Sequence, residues 1–115
     1  MTTSIKNYII TYIDHVGEEC IINSKFSECA LVDKPLYTSL ENAKKGVTSI
    51  RNYLKKDYVV SRNKYWYDDA LKLNKEDEYS KKLIKCYLDN IHINENNTLI
   101  IREVDIHINT DLKFN

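Results

Sequence analysis

The stretch Thr38–Lys56 constrains this chain most. Leu40, Ala43, Val47, Ile50 and Leu54 recur at alternating steps of three and four, the spacing that lines one side of a helix. Lys44, Lys45, Arg51, Lys55 and Lys56 occupy much of the opposite side. A narrow apolar stripe with a cationic back suits a helix that packs one face on a sheet and leaves the other in water. Thr38 and Glu41 have capping-box spacing, which predicts the helix start. The rest of the chain must therefore supply a sheet for this helix to cover.

Ile5–Ile13 is rich in β-branched and aromatic residues and reads as a strand. Tyr8, Ile10 and Tyr12 fall on one face and Ile5, Ile9 and Ile13 on the other, which predicts an interior strand or one covered on both sides. Asp14-His15-Val16-Gly17 supplies a turn, with Gly17 free to take positive φ. Glu19 to Phe26 then returns as the second half of a hairpin, and Ala30-Leu31-Val32 suits a short edge strand. Thr98–Asn109 is the last strand, and Arg102 interrupts its apolar row, predicting a bulge near residues 101–103. The first and last strands are both long and Ile-rich and are expected to pair.

Asn74 fits the N-cap of a second helix, with Glu76, Asp77 and Glu78 in its first turn and Lys81, Lys82 and Lys85 further on. Tyr79, Leu83 and Cys86 form its apolar row, and its end is expected near Asp89-Asn90. Residues 57–73 leave two readings open. Tyr58-Val59-Val60 and Tyr65-Trp66-Tyr67 can pair as a small hairpin, or the second group can lead into a helix at Asp68-Asp69-Ala70. The order β-β-α-(open)-α-β lacks regular βα alternation. It predicts an α+β fold: an antiparallel sheet of N-terminal hairpin plus C-terminal strand, with two main helices packed on one face. Residues 1–115 suit a single compact domain with a frayed tail from Thr110.

Lys+Arg and Asp+Glu both number 17, so no net charge draws the chain toward nucleic acid or an anionic membrane. No apolar run approaches the roughly 20 residues that cross a bilayer. The N-terminus lacks a basic segment followed by an apolar core, so a cytoplasmic location is expected. Cys20, Cys29 and Cys86 are an odd set with no C-x-x-C, which fits reduced, partly buried thiols. A nucleophilic arrangement of Cys20 or Cys29 with His15 or His107 and Asp105 is weaker than the simple reading of a small core thiol. His92 and His107 with Cys86 or Asp105 lack the recurring close ligand pair of a structural metal site. With 2 Gly, no phosphate cradle of the common kinds can form. No enzymatic activity, cofactor or metal is expected.

Contact remains. Tyr occurs 9 times, and the sole Trp lies between two of them in Tyr65-Trp66-Tyr67. Tyr and Trp bury large areas at low entropic cost and keep a polar tip, which makes them interface anchors. Arg62 and Lys64 precede the triplet, and Arg51 and Lys55 lie in the cationic run before them. These seven residues are the expected partner-binding set. The same cations beside stacking rings would also suit single-stranded nucleic acid, although Asp68-Asp69 follow at once. In general character the chain resembles the small accessory proteins of phages and mobile elements. The segment Tyr37-Thr38-Ser39-Leu40-Glu41-Asn42-Ala43-Lys44, leading into a helix after a hairpin, is similar to that of several phage proteins. The resemblance implies stoichiometric occlusion of a host or defence macromolecule by a non-enzymatic binding protein, as a monomer or a homodimer. An immunity protein that neutralises a toxin is one alternative; a binder of nucleic acid or a small nucleotide is the other. The expected partner is a protein, with no membrane.

Overall fold

β1 (Thr2–Ile13) is the centre of a three-stranded antiparallel sheet ordered β2-β1-β3, with β2 at Glu19–Ile21 and β3 at Leu99–Asn109. Among the described residues three helices accompany the sheet: α1 (Leu40–Leu54), α2 (Asp57–Lys72) and α3 (Glu78–Asn96). The structure, a computed structural model, describes residues 2–22, 36–73 and 77–109, with side chains at 5–22, 36–73 and 77–105. The expected edge strand at residues 30–32, the N-cap at Asn74 and the tail from Thr110 lie outside the described residues. The fold is α+β, and the first and last strands pair as expected.

Pairing of β1 with β3 runs without interruption from Thr2 opposite Asn109 to Tyr12 opposite Leu99, so the bulge expected near residues 101–103 is absent. Arg102 does not break the row because its charge is met on the sheet surface. It donates to both oxygens of Glu19, at 2.8 and 2.6 Å, and Glu19 also accepts from Thr11 at 2.9 Å. Residues paired across strands share a face. Ile10, Tyr12, Cys20, Leu99 and Ile101 therefore lie together, packed with Ile22, with Val47, Ile50 and Leu54 of α1, and with Ile93 of α3.

α1 begins one residue later than the capping-box spacing predicts. Ser39 is the N-cap, accepting from the Asn42 amide at 3.1 Å; Leu40, expected in the apolar stripe, is exposed. Ala43, Val47, Ile50 and Leu54 are buried as the spacing requires. Gly46, in mid-helix, is where Tyr37 crosses: a Cβ there would meet the Tyr37 hydroxyl at 2.6 Å. Tyr37 in turn exchanges two backbone bonds with Tyr8, both 2.8 Å, pinning this crossing to the edge of β1.

Residues 57–72 form one helix, which excludes the small hairpin. Val59, Asn63 and Ala70 are buried, and Trp66 and Tyr67 half-buried, a 3.6-residue rhythm that a two-residue strand period cannot place on one side. Asp77 caps α3, accepting from the Tyr79 amide at 3.3 Å. The helix passes the expected stop at Asp89-Asn90 and ends at Asn97, whose φ of 53° suits a left-handed cap. It continues because Asp89 and Asn90 are buried rather than solvated. Beyond them Ile93 fills the core, and Asn94 donates to the Leu54 carbonyl at 3.0 Å, satisfying the end of α1.

Candidate functional site

The seven expected contact residues divide into three groups. On one flank of α2, the Arg62 guanidinium lies over the Trp66 ring at 4.9 Å and donates to the Tyr53 hydroxyl at 2.9 Å. Tyr58 meets Tyr53 edge-on, with 6.4 Å between ring centroids, and Lys56 lies 5.9 Å from the Tyr58 ring. Tyr65 projects beside this group and is 70% exposed. On the other flank, Tyr67 stacks on Tyr87 of α3 at 4.5 Å, with Lys64 over both rings and paired to Asp68 at 2.7 Å. Tyr67 is therefore a seam residue, and Lys64 is already neutralised.

Arg51 and Lys55 are not brought to either flank. Successive helical residues turn by about 100°, which puts both across the buried stripe of α1 from Tyr53, in a row with Lys44. Neither they nor Arg62 form an ion pair with a described residue. Arg51 Nε and Arg62 Nε are buried without a hydrogen-bond partner among the described residues.

A second constellation joins the β1–β2 turn to α3. Asp14 and Asp89 are both fully buried, and Lys85 Nζ sits between them, 2.9 Å from Asp14 Oδ2 and 2.7 Å from Asp89 Oδ2. Asp14 Oδ1 accepts from the Val16 and Glu18 amides at 3.1 and 2.8 Å, which shapes a turn that Gly17 completes at φ 90°. Asp89 Oδ1 accepts from the His15 amide at 3.1 Å and meets His15 Nδ1 at 2.5 Å. A carboxylate can only accept, so Nδ1 carries the proton. Tyr12 Oη donates to Asp89 Oδ2 at 3.5 Å, and Cys20 Sγ donates to Asp14 Oδ2 at 3.6 Å.

Charge explains the titration of this knot. Burial pushes the Asp14 carboxyl up, but the Lys85 ammonium and the turn amides outweigh it and hold it down at about 2. Burial pulls the Lys85 amine down, and its bonds to Asp89 and Asp14 reverse this and leave it raised. Burial, followed by the Asp89 charge, pushes the Tyr12 phenol well above its usual range. Burial also raises the Cys20 thiol, so Cys20 is held protonated. His15 turns to Asp89, not to Cys20, and Asp105 lies far along β3, so the nucleophilic arrangement weighed from the sequence is not assembled around Cys20. Cys86, expected as a reduced thiol, is disulfide-bonded; Cys20 is free, and Cys29 lies outside the described residues.

This knot was missed because its members lie 71 to 77 residues apart, beyond any local spacing rule. The one local signal was Lys85–Asp89, an i,i+4 pair inside what read as the end of a helix. The knot locks the turn onto α3; on the α2 ridge Tyr58 and Tyr65 are exposed, with Arg62 and Trp66 half-buried beside them. No protein-family model, curated protein or solved structure matches the chain.

Proposed function

We propose that the chain is a non-enzymatic binding protein that docks the α2 ridge of Tyr58, Arg62, Tyr65 and Trp66 on a protein and occludes it stoichiometrically. The observation that supports this most is Tyr65, 70% exposed next to a guanidinium already fixed between Trp66 and the Tyr53 hydroxyl. Tyr, Trp and Arg are the residue types that dominate interface energetics, and a side chain fixed before binding loses less entropy on docking. The phage-like character of the sequence points to a host or defence macromolecule as the target, with a toxin as the alternative in an immunity setting. A photo-cross-linking residue at position 65, expressed in the native host, tests this. The expected result is a discrete one-to-one protein adduct that the same residue at position 49 does not give. Equal labelling from both positions would sink the reading.

The second reading, nucleic-acid binding, draws on a different face. Lys44, Arg51 and Lys55 share a row on α1 and form no ion pair with a described residue. Salt-sensitive retention on a polyanion column, lost on Arg51→Gln with Lys55→Gln, would favour it.

A further inference from the structure

The exposed flank of α2 is complementary to itself. Tyr58, Arg62, Tyr65, Asp69 and Leu73 follow at steps of four, three, four and four, so they form one row, with Leu73 at the helix terminus. Tyr58, Tyr65 and Leu73 are 59%, 70% and 71% exposed, the three largest apolar exposures on this helix and its cap. Arg62 and Asp69 stand symmetrically about a point between Tyr65 and Trp66, and so do Tyr58 and Leu73. Neither Arg62 nor Asp69 is ion-paired to a described residue. The bond to Tyr53 uses one donor of the Arg62 fork, and a guanidinium has five.

We propose that α2 pairs antiparallel with α2 of a second copy, across a two-fold axis between Tyr65 and Trp66. That placement sets Arg62 opposite the partner's Asp69, and Asp69 opposite the partner's Arg62. Tyr58 covers the partner's Leu73, and the two Tyr65 rings meet near the axis against the partner's Trp66. Every contact occurs twice, as a two-fold interface requires. Charge selects this occupant over others. A parallel helix pair would oppose like charges, and a nucleic-acid backbone or an acidic segment would satisfy Arg62 but be repelled by Asp69. The inference rests on the reading of the α2 ridge as a contact surface and names a first partner for it. A foreign target then competes with the dimer for the same residues. With 16 residues, α2 is about 24 Å long, which places the interface at the small end of specific contacts and the exchange in the micromolar range.

Sedimentation equilibrium across a concentration series decides it. Wild type is expected to dimerise in the micromolar range. Arg62→Glu and Asp69→Arg should each weaken the dimer by about tenfold or more, and the double variant should recover most of that loss. Because Arg62→Glu also removes the bond to Tyr53, Asp69→Arg is the cleaner arm: Asp69 is exposed, and circular dichroism checks that its helix content is unchanged. A wild-type monomer into the high micromolar range overturns the proposal, as does a dimer indifferent to Asp69→Arg, or a double variant no better than the singles. The ridge reading is tested separately. If the position-65 adduct with a host protein survives in Asp69→Arg while no dimer forms in wild type, only the self-pairing is lost.

Discussion

Under α1 the buried side chains include Ile10, Ile22, Val47, Ile50 and Leu54; between α2 and α3 they include Val59, Asn63, Ala70, Ser80, Leu83 and Cys86. The first set is large, branched and apolar, and joins strands to α1 in one contiguous cluster. The second is smaller on average and partly polar, and none of it belongs to that cluster. Small residues let two helices approach closely but remove little apolar area from water, so this seam contributes less per residue than the sheet core. On one flank the Tyr67 ring against Tyr87 completes it. The comparison teaches where contact residues can be placed. The sheet core needs its bulky groups inside, whereas α2 keeps small groups inside and turns its bulk outward, in the less strongly held part of the molecule.

Truncation inside the sheet core gives the largest expected effect. Leu54 is 1% exposed, and Leu54→Ala should destabilise the protein by about 4 kcal/mol, read as a fall in the urea midpoint at constant slope. A loss no larger than that of a seam substitution would erase the distinction between the two regions.

Next comes the knot that ties the sheet to α3. Lys85→Met leaves Asp14 and Asp89 buried beside each other without their shared cation, and should cost about 2–3 kcal/mol. The figure lies below that of a fully buried pair because the Lys85 side chain is itself half-exposed. The same knot contributes to the acid limit. Asp14 titrates at about 2 when folded against an ordinary 3.8, so the stability it contributes is whole above pH 4 or so and is lost as pH falls toward 2. Asp14→Asn should flatten that part of the acid unfolding curve; an unchanged curve would show that another carboxylate governs it.

The contrast between the regions also explains what could be read in advance. The α1 stripe, the interior position of β1, its pairing with β3 and the turn at Gly17 all rest on local period or turn chemistry, and all were legible. α2 was not, because Tyr58, Val59 and Val60 favour strands by propensity, while Asn63 and Ala70 give a helical face too small to stand out. Asp89 misled for a related reason: an acidic residue late in a helix reads as a solvated end unless Lys85 and His15 are known to meet it. The Tyr65-Trp66-Tyr67 triplet was recognised as a group, yet a helix turns consecutive residues apart, so only Tyr65 and Trp66 stay with Arg62.

Within the seam, Asn63 sharpens the comparison. It is 4% exposed, comparable to Leu54, but its Oδ1 has no hydrogen-bond partner among the described residues. Asn63→Ala removes that uncompensated acceptor and raises helix propensity while losing little packing. Stability should change by less than about 1 kcal/mol and in the upward direction. A loss as large as that of Leu54→Ala would mean that the seam is held by its polar interior.

The smallest effect is expected at Lys64, on the flank. Its ammonium pairs with Asp68 and lies over Tyr67 and Tyr87, three contacts that look substantial together. All are at the surface, where water and salt screen them and the long side chain loses entropy to hold its place. Lys64→Met keeps the apolar stem against the two rings and discards only the charge. The Tm should fall by about 2 °C or less, and by less still at high salt. The Tyr67–Tyr87 stack should persist, because ring packing needs no cation. If the drop instead rivals that of Lys85→Met, the α2–α3 seam is held from outside by its flanks, and α2 would not be free to spend its outward residues on a partner.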